Sequence, residues 1–123
     1  MSEPDVLHES PGALRADTVN NHRAIRSLME ELEAIDWYAQ RIDASDDPQL
    51  KAVLTHNRDE EKEHAAMVLE WLRRRDPVLD GYLRRYLFTE GPIEEIEEKL
   101  EDEAGQVADV SGLGIGSLRD AVK

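Results

Sequence analysis

Glu61 and His64 stand three residues apart in the run His56-Asn57-Arg58-Asp59-Glu60-Glu61-Lys62-Glu63-His64. On a helix that spacing puts a carboxylate and an imidazole on one face, where both reach a single ion. Carboxylate oxygen and imidazole nitrogen suit iron, zinc or manganese, while a thiolate site needs cysteine, and the sequence has none. Glu-x-x-His alone is a weak motif in so Glu-rich a chain, where a solvated ion pair explains it equally well. Its weight depends on what the rest of the chain places beside it.

The elements that must position these groups are helices. Between Gly12 and Asp76 the only helix breaker is Pro48, so residues 13–47 and 49–76 form two windows rich in Glu, Leu, Ala and Arg. In the first, Ile25, Leu28, Leu32, Ile35, Ala39 and Ile42 recur at spacings of three and four, the period of one helix stripe. Asp17 or Thr18 is the expected cap of this helix, and its end is expected near Asp43 to Asp46. Asp47-Pro48 then reads as N-cap and first helical residue of a second helix running to about Arg75, because proline lacks an N–H that would be orphaned there anyway. Asp76-Pro77 repeats the signal and Gly91-Pro92 supplies a stop, which predicts a short third helix over 77–90 carrying Leu79, Tyr82, Leu83, Tyr86 and Leu87. Residues 93–103 hold seven acids against Lys99, with Ile93, Ile96 and Leu100 at helical spacing, so the stretch reads as a frayed acidic helix or a linker, and mutual repulsion favours the linker.

The two long helices form an antiparallel hairpin, and the second one's inward stripe reads Leu50, Leu54, Asn57, Glu61, His64, Val68 and Trp71. The middle of that seam is polar, and burying a carboxylate with an imidazole costs several kcal/mol unless they are paired or hold a metal (~3–5 kcal/mol for a broken buried pair). The turn centres near Asp46, fifteen residues from both Glu31 and Glu61. These carboxylates therefore lie at one height, about 22 Å from the turn. Di-iron carboxylate bundles use one Glu from each of two helices and a Glu-x-x-His from each of the other two. One chain offers half of that set, Glu31 with Glu61 and His64, and a twofold-related copy would complete it as a four-helix bundle. Dimerisation also extends a core too small in one short hairpin. Tyr38, two helical turns after Glu31 on the same face, can offer its hydroxyl to a ligand carboxylate.

Length and charge narrow the remaining classes. The 123 residues fit one small domain, and 15 Lys+Arg against 28 Asp+Glu give a net charge of −13, which suits a cation and opposes a nucleic-acid partner. The longest apolar run, Ala65 to Leu69, is far too short for a membrane span, and no export signal is visible. Met29 and Met67 read as core filler, and Arg58 and Lys62 as counter-ions for Glu60 and Glu63.

The runs Asn21-His22-Arg23-Ala24-Ile25, Met29-Glu30-Glu31-Leu32-Glu33-Ala34-Ile35-Asp36-Trp37-Tyr38 and His56 to Met67 closely resemble the encapsulated ferritins. The resemblance continues through Leu69 to Arg74 and Tyr86 to Pro92, so it covers roughly residues 18–92. It implies a ferritin-like, all-α fold and a ferroxidase that oxidises Fe(II) with dioxygen at a di-iron site shared by two chains. Five dimers in a ring and cytoplasmic packaging inside an encapsulin nanocompartment, where iron is stored, are also implied. The family's iron ligands fall on Glu31, Glu61 and His64. Its secondary metal site falls on Glu30 and Glu33 with Trp37 as the accompanying aromatic, where calcium or another divalent cation would bind weakly on the route to the iron centre. Leu113-Gly114-Ile115-Gly116-Ser117-Leu118-Arg119 resembles the terminal peptides that dock cargo to encapsulin shells.

The expected organisation is a flexible start over 1–16, the ferritin-like hairpin and short helix over 17–91, an acidic linker over 92–110 and a targeting peptide over 111–123. A rubrerythrin-like di-metal peroxide reductase is the rival enzyme, though no cysteine motif supplies its electron carrier. A non-catalytic helical adaptor is the rival of another class. Iron-dependent oxygen uptake separates the three.

Overall fold

The breakers divide the chain where the sequence places them. In a computed structural model that describes residues 7–99, a 3₁₀ turn at Pro11–Ala13 precedes α1 (Ala16–Ala44), α2 (Pro48–Arg75) and α3 (Pro77–Tyr86). The described residues contain no strand. The three expected helices and the two Pro-initiated starts are present as read. The Asp47 carboxylate accepts from the Gln49 and Leu50 N–H groups at 2.9 and 3.2 Å, and Asp76 accepts from those of Val78 and Leu79 at 3.0 Å each. Each such cap is worth about 1 kcal/mol, because it satisfies donors that the helix itself leaves unpaired.

Three boundaries differ from the sequence reading. The first helix starts at Ala16 with Arg15 as an N-cap that makes no side-chain bond, so Asp17 sits in the first turn and favours the positive helix end by its charge. The third helix stops at Tyr86, four residues early. There the backbone turns extended at Leu87, Phe88 enters the left-handed region at φ 61°, and the Thr89 hydroxyl donates to the Tyr86 carbonyl at 2.7 Å. Residues 93–99 are helical instead of forming a linker. Pro92 precedes them, and Glu94 and Glu95 fall in the first turn, where the helix dipole offsets the repulsion among acids. The remainder of the acidic stretch and the targeting segment Leu113–Arg119 lie outside the described residues.

The chain divides into two units, one through Leu72 and one from Arg73. In the first, α1 and α2 run antiparallel across the turn Ser45-Asp46-Asp47, where the Ser45 N–H caps α1 by donating to the Arg41 carbonyl at 3.0 Å. The seam is half-buried at Leu28, Ile35, Ala39, Ile42, Leu54, Asn57, Glu61 and Val68, and among the described residues of this unit only Ala65 is buried. Ile25, Leu32, Leu50 and Val53 are exposed, as are Met29 and Met67, which were expected as core filler. Two helices can shield each other along one line only, so the apolar stripes are wider than the seam that covers them.

In the second unit Asp80 of α3 is held by two arginines. It accepts from Arg73, and Arg84 Nε lies 3.0 Å from both its oxygens. Gly81 is buried beside it, while Val78, Tyr82, Leu87, Phe88 and Ile93 stay exposed.

Candidate metal centre

Equal distances from a tight turn bring the site together. Glu31 stands thirteen residues before Ala44, the last residue of α1, and Glu61 thirteen residues after Pro48, the first of α2. The hairpin thus sets them side by side, and one turn further along α2 brings His64 to the same place. One ligand atom from each of Glu31, Glu61 and His64 lies within 4.8 Å of the other two. His64 Nδ1 is 3.8 Å from Glu31 Oε2 and 3.5 Å from Glu61 Oε1, too long for hydrogen bonds and suited to an ion set between the groups. Among the described residues this is the one cluster of three or more potential metal ligands.

The electrostatics of the cluster are those of a cation site. Glu31 holds its proton above the usual carboxylate range, chiefly through a hydrogen bond with Glu61 that only a protonated carboxyl can make. Partial burial and the Glu61 charge add to this, and His64 opposes it. The two carboxyl side chains are 24% exposed and the imidazole 45%, so the groups are drawn from water on one side and open on the other. A cation placed among them removes the repulsion that the proton otherwise relieves. Two carboxylates and an imidazole are also the hard-to-borderline donor set that iron takes. Three donors leave a six-coordinate ion half ligated, and α1 also carries the exposed Ile25, Met29 and Leu32.

The other predicted residues are placed less fully. Tyr38 is half-buried on α1, with the Arg41 guanidinium over its ring at 5.6 Å. The same guanidinium lies 6.0 Å from the Trp37 ring, so one cation bridges two aromatic faces at about the limit of a cation–π contact. Glu30 and Glu33 are exposed, and no third donor joins them among the described residues. Glu30 lies 3.7 Å from Arg26 Nε. Arg26 and Arg41 were not singled out in the sequence, although each stands four residues from its partner, Glu30 and Trp37, a spacing that signals such pairs on a helix. Arg58 and Lys62 both pair with Asp59 instead of with Glu60 and Glu63, and Glu60 takes His56 at 2.8 Å.

Comparison with known proteins adds a lineage to this geometry. Residues 6–90 match the sequence family described as EncFtn-like. An encapsulated ferritin-like protein of Rhodospirillum rubrum is 59% identical over 121 residues, spanning 91% of this chain and 86% of its own. A ferritin-like protein of Thermotoga maritima is 48% identical over 114 residues, covering 93% of this chain and 98% of the relative. The encapsulin nanocompartment cargo protein EncC of Myxococcus xanthus is 42% identical over 108 residues, covering 79% and 83% respectively. The crystal structure of protein NE0167 from Nitrosomonas europaea superposes with a TM-score of 0.69 at 59% identity, over 71% of this chain and 96% of that one.

Proposed function

Because the chain belongs to the EncFtn-like family, with a ferritin-like helical fold, we propose that it is a ferroxidase whose iron centre closes only when two copies meet. The observation that carries this reading is the convergence of Glu31, Glu61 and His64 in a hairpin too thin to bury its own apolar stripe. A twofold partner supplies the same three donors again and covers Ile25, Met29 and Leu32, and the four helices then resemble a di-iron carboxylate bundle.

In this reading Fe(II) is the substrate and dioxygen the oxidant. The chain's own groups do three things. Glu31 and Glu61 bind an arriving ion through their carboxylate oxygens and offset the charge it gains on oxidation. His64 supplies an imidazole nitrogen donor. Tyr38 steadies a carboxylate by its hydroxyl. Glu30 and Glu33 beside Trp37 form a weaker secondary site that gathers divalent cations, calcium among them. Leu113–Arg119, on the acidic tether, docks the assembly, a ring of five dimers, inside an encapsulin shell where the oxidised iron is stored. The relatives' names support the encapsulated, cargo part of this reading. No helix among the described residues is long and apolar enough to cross a membrane.

Oxygen uptake during addition of Fe(II) tests the proposal, with sedimentation measured on the same sample. Iron-dependent uptake confined to dimers and larger species is expected. A monomer that oxidises iron at full rate overturns it, no uptake at all favours an adaptor, and a strong preference for peroxide favours a peroxide reductase. Deleting residues 111–123 should spare oxidation and lose shell loading.

A further inference from the structure

Arg26, Glu30, Glu33 and Trp37 follow one another along α1 at spacings of four, three and four, so they share a stripe. The arginine at its head is unusual. Its side chain is 22% exposed, its Nε is shielded from solvent, and that Nε has no hydrogen-bond acceptor among the described residues. The Glu30 carboxylate is 3.7 Å away, near enough for charge attraction and too far for a hydrogen bond. A guanidinium with a buried donor usually finds an acceptor, and the cost of leaving one unmade exceeds what a half-exposed ion pair returns. Arg26 is therefore anchored by its stem while its charge rests against Glu30 without being locked to it.

We propose that Arg26 is a place-holder cation for the secondary site, a specificity-determining residue that an incoming divalent ion must displace from Glu30. The inference rests on the reading of Glu30 and Glu33 as that site. Two consequences follow from charge alone. A monovalent metal ion offers Glu30 no more charge than Arg26 already does, so it gains nothing by entering, whereas a divalent ion does. The arginine also remains nearby after displacement and repels the bound ion, which keeps occupancy brief. A site on a delivery route needs both properties, since an acid pair without the place-holder would hold its ion and starve the centre beyond it.

Terbium(III), a hard oxygen-seeking ion whose emission is sensitised by a nearby indole, is the probe. The full chain carries Glu31→Ala so that the main cluster does not compete, and Trp37→Phe identifies the signal that arises at the stripe. Arg26→Met, which keeps the stem and removes the charge, should tighten terbium binding about two- to fivefold, the worth of an exposed ion pair. Arg26→Lys should restore the original affinity, and Arg26→Gln should behave like Arg26→Met, with helicity by circular dichroism confirming that each variant folds. In a Glu30→Gln background the Arg26 substitutions should have a smaller effect, since only the repulsion of the bound ion remains. Equal affinity for the arginine, lysine, methionine and glutamine forms, with Glu30-dependent binding intact, overturns the place-holder and leaves the secondary site standing. Binding indifferent to Glu30 and Glu33 in the starting protein overturns the secondary site itself.

Discussion

Asp80 in α3 sits between two guanidinium groups, whereas Glu31 in α1 faces a second carboxylate. Arg84 and Arg73 hold Asp80 below the usual carboxylate range, and the hydrogen bond with Glu61 holds Glu31 above it. Both acids lie on helices of a strongly acidic chain, so net charge does not explain the difference. What separates them is whether the protein supplies the counter-charge. In the second unit it does, and the carboxylate becomes a structural tie between the end of α2 and α3. In the first it withholds one, and on the proposed reading the carboxylate recruits a cation from outside. An acid with its arginines in place reads as structure, and an acid pressed against another acid reads as a site.

The sharpest way to break this comparison is to remove each acid in turn and follow iron oxidation. Glu31→Ala or His64→Ala should slow Fe(II) oxidation roughly a hundredfold or more, read as oxygen consumption, since loss of even an outer-shell partner costs 10–100-fold at metal sites. Asp80→Asn should retain oxidation, and a comparable loss there would erase the distinction. The next effect is thermodynamic. Divalent metal at about one hundred times its dissociation constant should stabilise the wild-type protein by about 2.7 kcal/mol in thermal or denaturant unfolding, and a Glu61→Ala variant should show almost none of this.

The pH dependences should have opposite signs. Glu31, with a folded value raised above 4.5, contributes stability that is complete below 4.5 and is lost as pH rises through its raised value. Glu31→Gln should therefore stabilise the metal-free protein at neutral pH while abolishing metal stabilisation, as followed by melting curves with and without metal. Asp80, lowered below 3.8, contributes stability that is present above 3.8 and is lost as pH falls through its lowered value, so Asp80→Asn should flatten the acid limb of the same curves. The smallest effect belongs to a carboxylate with neither role. Asp47→Ala removes a helix cap and should cost about 1 kcal/mol in denaturant unfolding without touching oxidation.

What the sequence made legible follows the range of the interaction concerned. Asp47-Pro48 and Asp76-Pro77 act within three residues, and both caps form as read. The register of Glu31 against Glu61 was legible as well, because a three-residue turn leaves two rigid helices no freedom to slide far. The start of α1 was not, since Asp17 and Arg15 compete over two residues and only backbone geometry decides between them. The end of α3 depends on a left-handed Phe88, which no local preference favours. Residues 93–99 show a local rule overridden, with the dipole at the helix start outweighing repulsion among the acids. Ion-pair partners were the least legible, since Asp59 collects both Arg58 and Lys62 from among several acids in reach. The choice turns on side-chain direction, which spacing does not fix.

The meagre burial of the lone hairpin has a consequence for where and when the chemistry runs. Ala65 is the only buried residue among the described residues of the first unit, and on the proposed reading, with three of six donors on each chain, a newly made protomer is an inert half. Encounter between halves scales with the square of their abundance, so a sparse population stays silent and a crowded one awakens together. On that same reading confinement, by raising local abundance, serves as the ignition for the reaction it also contains.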